Sequence, residues 1–151
     1  MNAFAILKAD HEKVAGILET IEDTTERAVK GRDELFARLK AELDLHAMIE
    51  EEIFYPALEE TEEAREITLE AYEEHRLVKQ LLAELEAEPK DTEEWTAKFT
   101  VLKENTEHHV EEEEGELFKK ARLALTEEEI ESLGDELQAA KQQSRAAAAS
   151  E

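Results

Sequence analysis

The sequence predicts an all-α protein, an up-down-up-down four-helix bundle carrying an additional C-terminal helix, and three observations predict it. Hydrophobic residues make up 41% and charged residues 39% of the chain, with only four Gly and two Pro, which suits long amphipathic helices and not a turn-rich sheet. Apolar residues recur at steps of three and four, the spacing that keeps one stripe of a helix apolar. Breakers and caps divide those stripes: Gly31 with Asp33, Pro56 with Thr61, Pro89 with Asp91, and then Thr126.

Helices are therefore expected over 3–29, 33–59, 62–87, 92–122 and 126–148. The first four can run the length of a bundle, and short connections make successive helices antiparallel neighbours. Residues 1–122 are expected to form the bundle, with 123–151 as a C-terminal helix and tail packed on or beside it. Helix one turns Phe4, Leu7, His11, Val14, Leu18 and Ile21 inward. Helix two continues the seam with Phe36, Leu39, Leu43, His46, Glu50, Ile53 and Ala57, helix three with Ala71, His75, Val78, Leu82 and Leu85. Helix four adds Trp95, Phe99, Leu102, Thr106, His109, Glu113 and Leu117. Thr126 with Glu129 spells a capping box at the start of helix five, and the final SRAAAASE is expected to fray.

The two halves repeat. His11 and His75 are 64 residues apart, while His46 and His109, like Glu50 and Glu113, are 63 apart. Val14 and Leu18 match Val78 and Leu82, and HAMIEEEIFYP (46–56) matches HVEEEEGELFK (109–119). Two copies of one helix pair around a pseudo-twofold axis would bring these polar residues to one place.

In HxxxE on a helix, His46 and Glu50 share a face, as do His109 and Glu113. Four imidazoles and two carboxylates make a first shell for two metal ions, because imidazole suits iron, copper, zinc and nickel and a carboxylate can bridge. Left without cations, two buried carboxylates would each cost several kcal/mol or be forced to protonate. Symmetry divides the ligands as His11 with His46 and His75 with His109, bridged by Glu50 and Glu113, although spacing alone leaves the pairing open. No Glu lies three residues before any histidine, so the ferritin-like di-iron motif is absent. His11-Glu12 is followed by Ala15 where HExxH needs histidine, and no Gly-rich phosphate loop exists.

The segments DH (10–11), HAMIEEEIFYP (46–56), EEH (73–75) and HVEEEEGELF (109–118) together resemble the hemerythrin-like, or HHE cation-binding, family over about residues 3–122. The resemblance implies a carboxylate-bridged centre of two non-haem iron ions, oxo- or hydroxo-bridged, with His11, His46, Glu50, His75, His109 and Glu113 as ligands. Oxygen-carrying members of the family have a further histidine one turn after the third; here that position is Lys79. They also commonly place the last carboxylate five residues after its histidine, which would select Glu114, whereas the repeat and the seam favour Glu113. The implied function is dioxygen-related chemistry, namely binding, sensing or detoxifying oxygen, peroxide or nitric oxide. An iron-responsive regulatory module without turnover is the alternative.

Several neighbours of these residues admit a simpler role. His108 points about 100° away from His109 and reads as a surface residue. Asp10 and Glu74 precede two histidines and are read as exposed acids, with orientation of an imidazole from a neighbouring position as the alternative; most of the acids in 50–52 and 111–114 are read as solvent-facing. Tyr72 reads as core. Tyr55 reads first as an aromatic plug at the end of the core, but it precedes Pro56, which disfavours helical geometry at that residue, so its phenol can also turn toward the metals as a ligand, gate or hydrogen-bond donor; its repeat partner is Phe118.

The net charge of -23 opposes a nucleic-acid or anionic-membrane partner. With no Cys there is no disulfide or thiolate site. The amino-terminal residues resemble neither a signal peptide nor a membrane span, and a cytoplasmic location is expected.

Overall fold

A computed structural model describes residues 1–149, which form five helical rods. The first is α1 (Ala3–Glu22). The second joins α2 (Val29–Ile49), a π turn at Glu50–Phe54 and α3 (Tyr55–Glu59). The third is α4 (Arg65–Ala87), and the fourth joins α5 (Glu93–Glu112), a π turn at Glu113–Leu117 and α6 (Phe118–Ala124). The fifth is α7 (Glu127–Ala149). The first four close a ring in which α1 meets α2 and α5, and α4 meets the same two helices, while α7 lies along α1 and α2. Among the described residues, no helix is long and apolar enough to cross a membrane.

Local chemistry sets most boundaries. The Asn2 side chain accepts from Ala5 N and that of Thr92 from Trp95 N, capping α1 and α5. Thr126 and Glu129 make the reciprocal bonds of a capping box, at 2.9 and 3.1 Å. The first connection differs from expectation: α1 stops at Glu22, and Gly31 lies inside α2 instead of breaking the chain. Arg32 explains the shift. Its guanidinium is buried, donates to Thr24 Oγ1, Thr24 O and Lys90 O, and stands 5.0 Å over the Trp95 ring, clamping the loop to the next connection. The end of the chain differs too. Instead of fraying from 144, α7 continues to Ala149 through a run of alanine, the best helix former; residues 150 and 151 lie outside the described residues.

A layer of polar side chains divides the core into two apolar clusters. One gathers Phe4, Leu7, Phe54, Tyr55 and Phe118 with Leu133 and Leu137 of α7. The other gathers Val14, Leu18, Phe36, Leu39, Trp95 and Phe99. Close approach holds α7 in place: a Cβ on Gly134 would lie 2.3 Å from Met1 O and 2.8 Å from Ala3 N.

Both π turns begin at a buried glutamate, and each is closed by a hydrogen bond spanning five residues, from Tyr55 N to Glu50 O and from Phe118 N to Glu113 O. In an α-helix, residues five apart point about 140° apart; the wider turn lets both face inward. The seam therefore moves after Glu50. Ile53 and Ala57, expected inside, are only partly buried, and Phe54, Tyr55 and Leu58 take the core positions.

Candidate metal centre

All six sequence-predicted ligand candidates meet in the polar layer. His11, His46, Glu50 and Glu113 offer ligand atoms within 4.8 Å of one another, and Glu50, His75 and His109 form a second such group. Glu50 joins the groups, with Oε1 3.0 Å from His46 Nε2 and 3.1 Å from His75 Nε2. Glu113 spans them as well, its Oε1 3.0 Å from His11 Nε2 and its Oε2 3.3 Å from His109 Nε2. The helix pairs of the two halves thus supply the symmetric halves of the cluster.

Why every Nε2 faces inward is visible on the outer side of the rings. Asp10 faces His46 Nδ1 at 3.0 Å, and its repeat equivalent Glu74 faces His109 Nδ1 at 2.8 Å. Glu51 faces His75 Nδ1 at 2.8 Å, and its equivalent Glu114 faces His11 Nδ1 at 2.6 Å. A carboxylate only accepts, so each Nδ1 carries the proton and donates, leaving the Nε2 lone pair for a cation. Each bond also ties one helix to the next around the ring. For Asp10 and Glu74 the exposed reading gives way to the orienting one, Glu51 is not simply a solvent-facing acid, and Glu114 stands behind His11 while Glu113 joins the cluster. Asp10 is buried and the others are partly covered. The repeat carries their signature, since two are the residue before a histidine and two the residue after an inward glutamate.

The donor set fits a cation on physical grounds. Among the described residues, His11 Nε2, His46 Nε2, both oxygens of Glu50 and Glu113 Oε1 are buried yet make no hydrogen bond, although they lie close together. Such orphaned polar atoms are costly unless something binds them. In the metal-free protein, protons take the place of cations. Burial works to lower the His46 pKa, but the Glu50 charge and the Asp10 hydrogen bond outweigh it and push it up to about 10. Burial likewise opposes, and neighbouring carboxylates win, at His11 and His109, which are both raised. Glu50 is held well below its ordinary value: burial opposes ionisation, but the charge of His46 dominates.

A pH dependence follows. Because the folded His46 pKa of about 10 exceeds its ordinary 6.5, its stabilisation of the metal-free fold is complete below pH 6.5 and is lost as pH rises toward 10. Thermal melts of metal-free protein should show lower stability at pH 9.5 than at pH 6, whereas metal affinity should rise over the same interval as protons cease to compete. Equal or greater metal-free stability at pH 9.5 would contradict this.

Tyr55 enters the cluster by a route other than the expected one. Its backbone is helical, with φ -63° and ψ -40°, so Pro56 does not displace it, and the π turn swings it inward instead. Its hydroxyl donates to Glu113 Oε2 at 2.6 Å and lies 3.3 Å from both His75 Nε2 and His109 Nε2. Burial, then the charges of Glu113 and Glu50, raise its pKa well above the ordinary value. Phe118, the repeat partner, instead packs on Phe4, the ring centroids 4.5 Å apart and the planes tilted by 32°, so the two halves of the cluster are unequal. Lys79 pairs with Glu51, Nζ to Oε2 3.0 Å, at the edge of a cavity beside the histidines. The His108 side chain is 70% exposed and pairs with Glu112. Tyr72 is partly buried, edge-on to Tyr55.

Opposite Tyr55, this cavity of about 40 Å³ borders all four histidines and is walled largely by Val14, Leu43, Ala47, Val78, Leu82 and Val110, with Asp44, Lys79 and Thr106 completing its lining. It holds molecules of a few atoms.

Comparison with known proteins agrees with the helical-bundle fold and identifies the family. A family model described as the Hemerythrin HHE cation binding domain matches residues 2–121. Uncharacterized protein Rv2633c of Mycobacterium tuberculosis (strain H37Rv) is 33% identical over 150 residues, covering 96% of this chain and 88% of that protein. A DNA nickase of Nostoc is 28% identical over 141 residues, 93% of this chain but 39% of its own length. The crystal structure of a hemerythrin HHE cation binding domain-containing protein from Mycobacterium kansasii, an Rv2633c homolog, superposes with a TM-score of 0.86 at 30% identity, covering 98% of this chain and 90% of that one.

Proposed function

Because the chain belongs to the hemerythrin HHE cation-binding family, we propose that it is a non-haem di-iron protein for the chemistry of small oxidants: dioxygen, peroxide or nitric oxide. The observation that supports this best is the cluster of inward Nε2 atoms and orphaned carboxylate oxygens beside a small apolar cavity. One ion would be held by His11 and His46, the other by His75 and His109, with Glu50 and Glu113 shared between them. Bound iron would supply redox chemistry and Lewis acidity toward a small ligand.

The chain's own residues shape what reaches it. A cavity of about 40 Å³ with mostly aliphatic walls suits small molecules of a few atoms. Tyr55 holds a proton at Oη against Glu113 Oε2, within reach of the cluster on the side away from the cavity. The four outer carboxylates hold the imidazoles in one tautomer and orientation. Lys79, standing where oxygen carriers have a histidine, offers a protonated ammonium with no lone pair, so one ligand position falls to water, to Tyr55 or to substrate. The net charge of -23 disfavours nucleic acid as partner.

The reduced, iron-loaded protein is therefore expected to oxidise in air or to consume peroxide, and not to act as a stable reversible carrier. Repeated cycles of oxygen addition and removal, followed by optical spectrum, test this. Full return of the reduced spectrum over many cycles, with no peroxide consumed, would overturn it.

A further inference from the structure

We propose that Lys141 of α7 is a positioning residue for His46, acting through Asp10, so that docking of the C-terminal helix sets the orientation of one histidine of the cluster. This rests on the metal-site reading above and extends it to a helix outside the matched residues 2–121.

Of the four carboxylates behind the histidines, Asp10 alone is buried. Its side chain is 7% exposed, against 26% for Glu51, 26% for Glu74 and 34% for Glu114. An acid at the surface can complete its hydrogen bonding with water, but a buried one needs protein partners for both oxygens. Asp10 Oδ2 accepts from His46 Nδ1, and Oδ1 accepts from Lys141 Nζ. Holding both oxygens fixes the plane of the carboxylate, and with it the direction in which His46 Nδ1–H must point. Glu51 also meets a lysine, but Lys79 is 52% exposed and belongs to the bundle itself.

Helix α7 is built to deliver this ammonium. Ile130, Leu133 and Leu137 are its buried stripe, and Lys141 follows Leu137 by one turn on the same face, its side chain only 12% exposed. Gly134 seats the helix against the backbone of Met1–Ala3. Arg145, one turn farther on, reaches Glu42 of α2 at 3.5 Å. The chain Lys141, Asp10, His46 thus runs from α7 through α1 to α2. A side chain that orients an imidazole through another group contributes to metal affinity without touching the metal.

The test compares Lys141→Met, Lys141→Arg and the control Arg145→Met. In metal-free protein, nitrogen-edited NMR of the histidine side chains should show the His46 Nδ1–H proton, protected in the wild type, lost to fast exchange in Lys141→Met and retained in Lys141→Arg and Arg145→Met. The corresponding protons of His75 and His109 should persist in all three. Anaerobic titration with ferrous iron should show about tenfold weaker binding of one equivalent in Lys141→Met, restored by arginine. If Lys141→Met does not fold, Lys141→Gln, which keeps the stem, takes its place. Unchanged His46 protection and unchanged iron affinity in a folded Lys141 variant, even with a lowered melting temperature, would overturn the proposal and leave Lys141 a docking contact. The NMR arm needs no metal, so a wild type that bound no iron would defeat the metal reading while leaving the Lys141 linkage separately measurable.

Discussion

His46→Ala and Glu50→Ala are expected to abolish binding of at least one metal ion and to remove the thermal stabilisation that metal confers, whereas His108→Ala leaves both unchanged. Glu50 is fully buried and faces both histidine pairs, so its removal takes a shared donor from both ions. His46 is one of only two imidazoles in its group. Metal present at 100 to 1,000 times its dissociation constant stabilises the fold by about 2.7 to 4.1 kcal/mol, or roughly 5–15 °C for a domain of this size. Differential scanning with and without added iron should show that increment in the wild type and in His108→Ala, and none in Glu50→Ala. Glu113→Ala should behave as Glu50→Ala. Glu114→Ala, which frees only the outer nitrogen of His11, should weaken binding about 10- to 100-fold without eliminating it. A His108→Ala variant stripped of metal as thoroughly as His46→Ala would contradict the placement of the fourth helix.

The second large effect is expected at Tyr55. Its hydroxyl is equidistant, at 3.3 Å, from the two Nε2 atoms of the group that has one donor fewer. A bound cation inverts the local electrostatics that keep the phenol protonated and favours loss of its proton. The oxidised, iron-loaded protein should therefore carry a visible tyrosinate-to-iron absorption that disappears in Tyr55→Phe with metal content retained, while in the metal-free protein the same substitution should cost only about 1 kcal/mol from the lost hydrogen bond to Glu113. Absence of that band from the wild type would leave Tyr55 as a hydrogen-bond donor to Glu113.

The fold was legible because two independent periodicities agree. The three-four stripe sets which face of each helix is inside, and the 63- to 64-residue repeat aligns the stripes, so His11, His46, His75 and His109 had to fall in one layer. What could not be read has specific causes. An insertion of one residue in a helical turn leaves no mark in composition, so the sequence hides the π turns, and with them the outward drift of Ile53 and Ala57 and the route by which Tyr55, singled out because of Pro56, comes to face the cluster. Abundance masks the outer carboxylates: among 41 acidic residues, Asp10 and Glu74 stand out only as neighbours of histidines, Glu114 only as a rival to Glu113, Glu51 not at all, and none can be matched to its imidazole until neighbouring helices are in place. Arg32 was missed because a lone arginine beside a glycine reads as loop, and its burial depends on acceptors from two distant connections.

The most direct test of the central claim is the stoichiometry of metal binding. Metal-free protein titrated anaerobically with ferrous iron, followed by calorimetry and by elemental analysis of the desalted product, should take up two ions per chain, with release of protons from the histidines. Uptake of one ion or none by folded protein would contradict the two-metal centre assigned to His11, His46, Glu50, His75, His109 and Glu113.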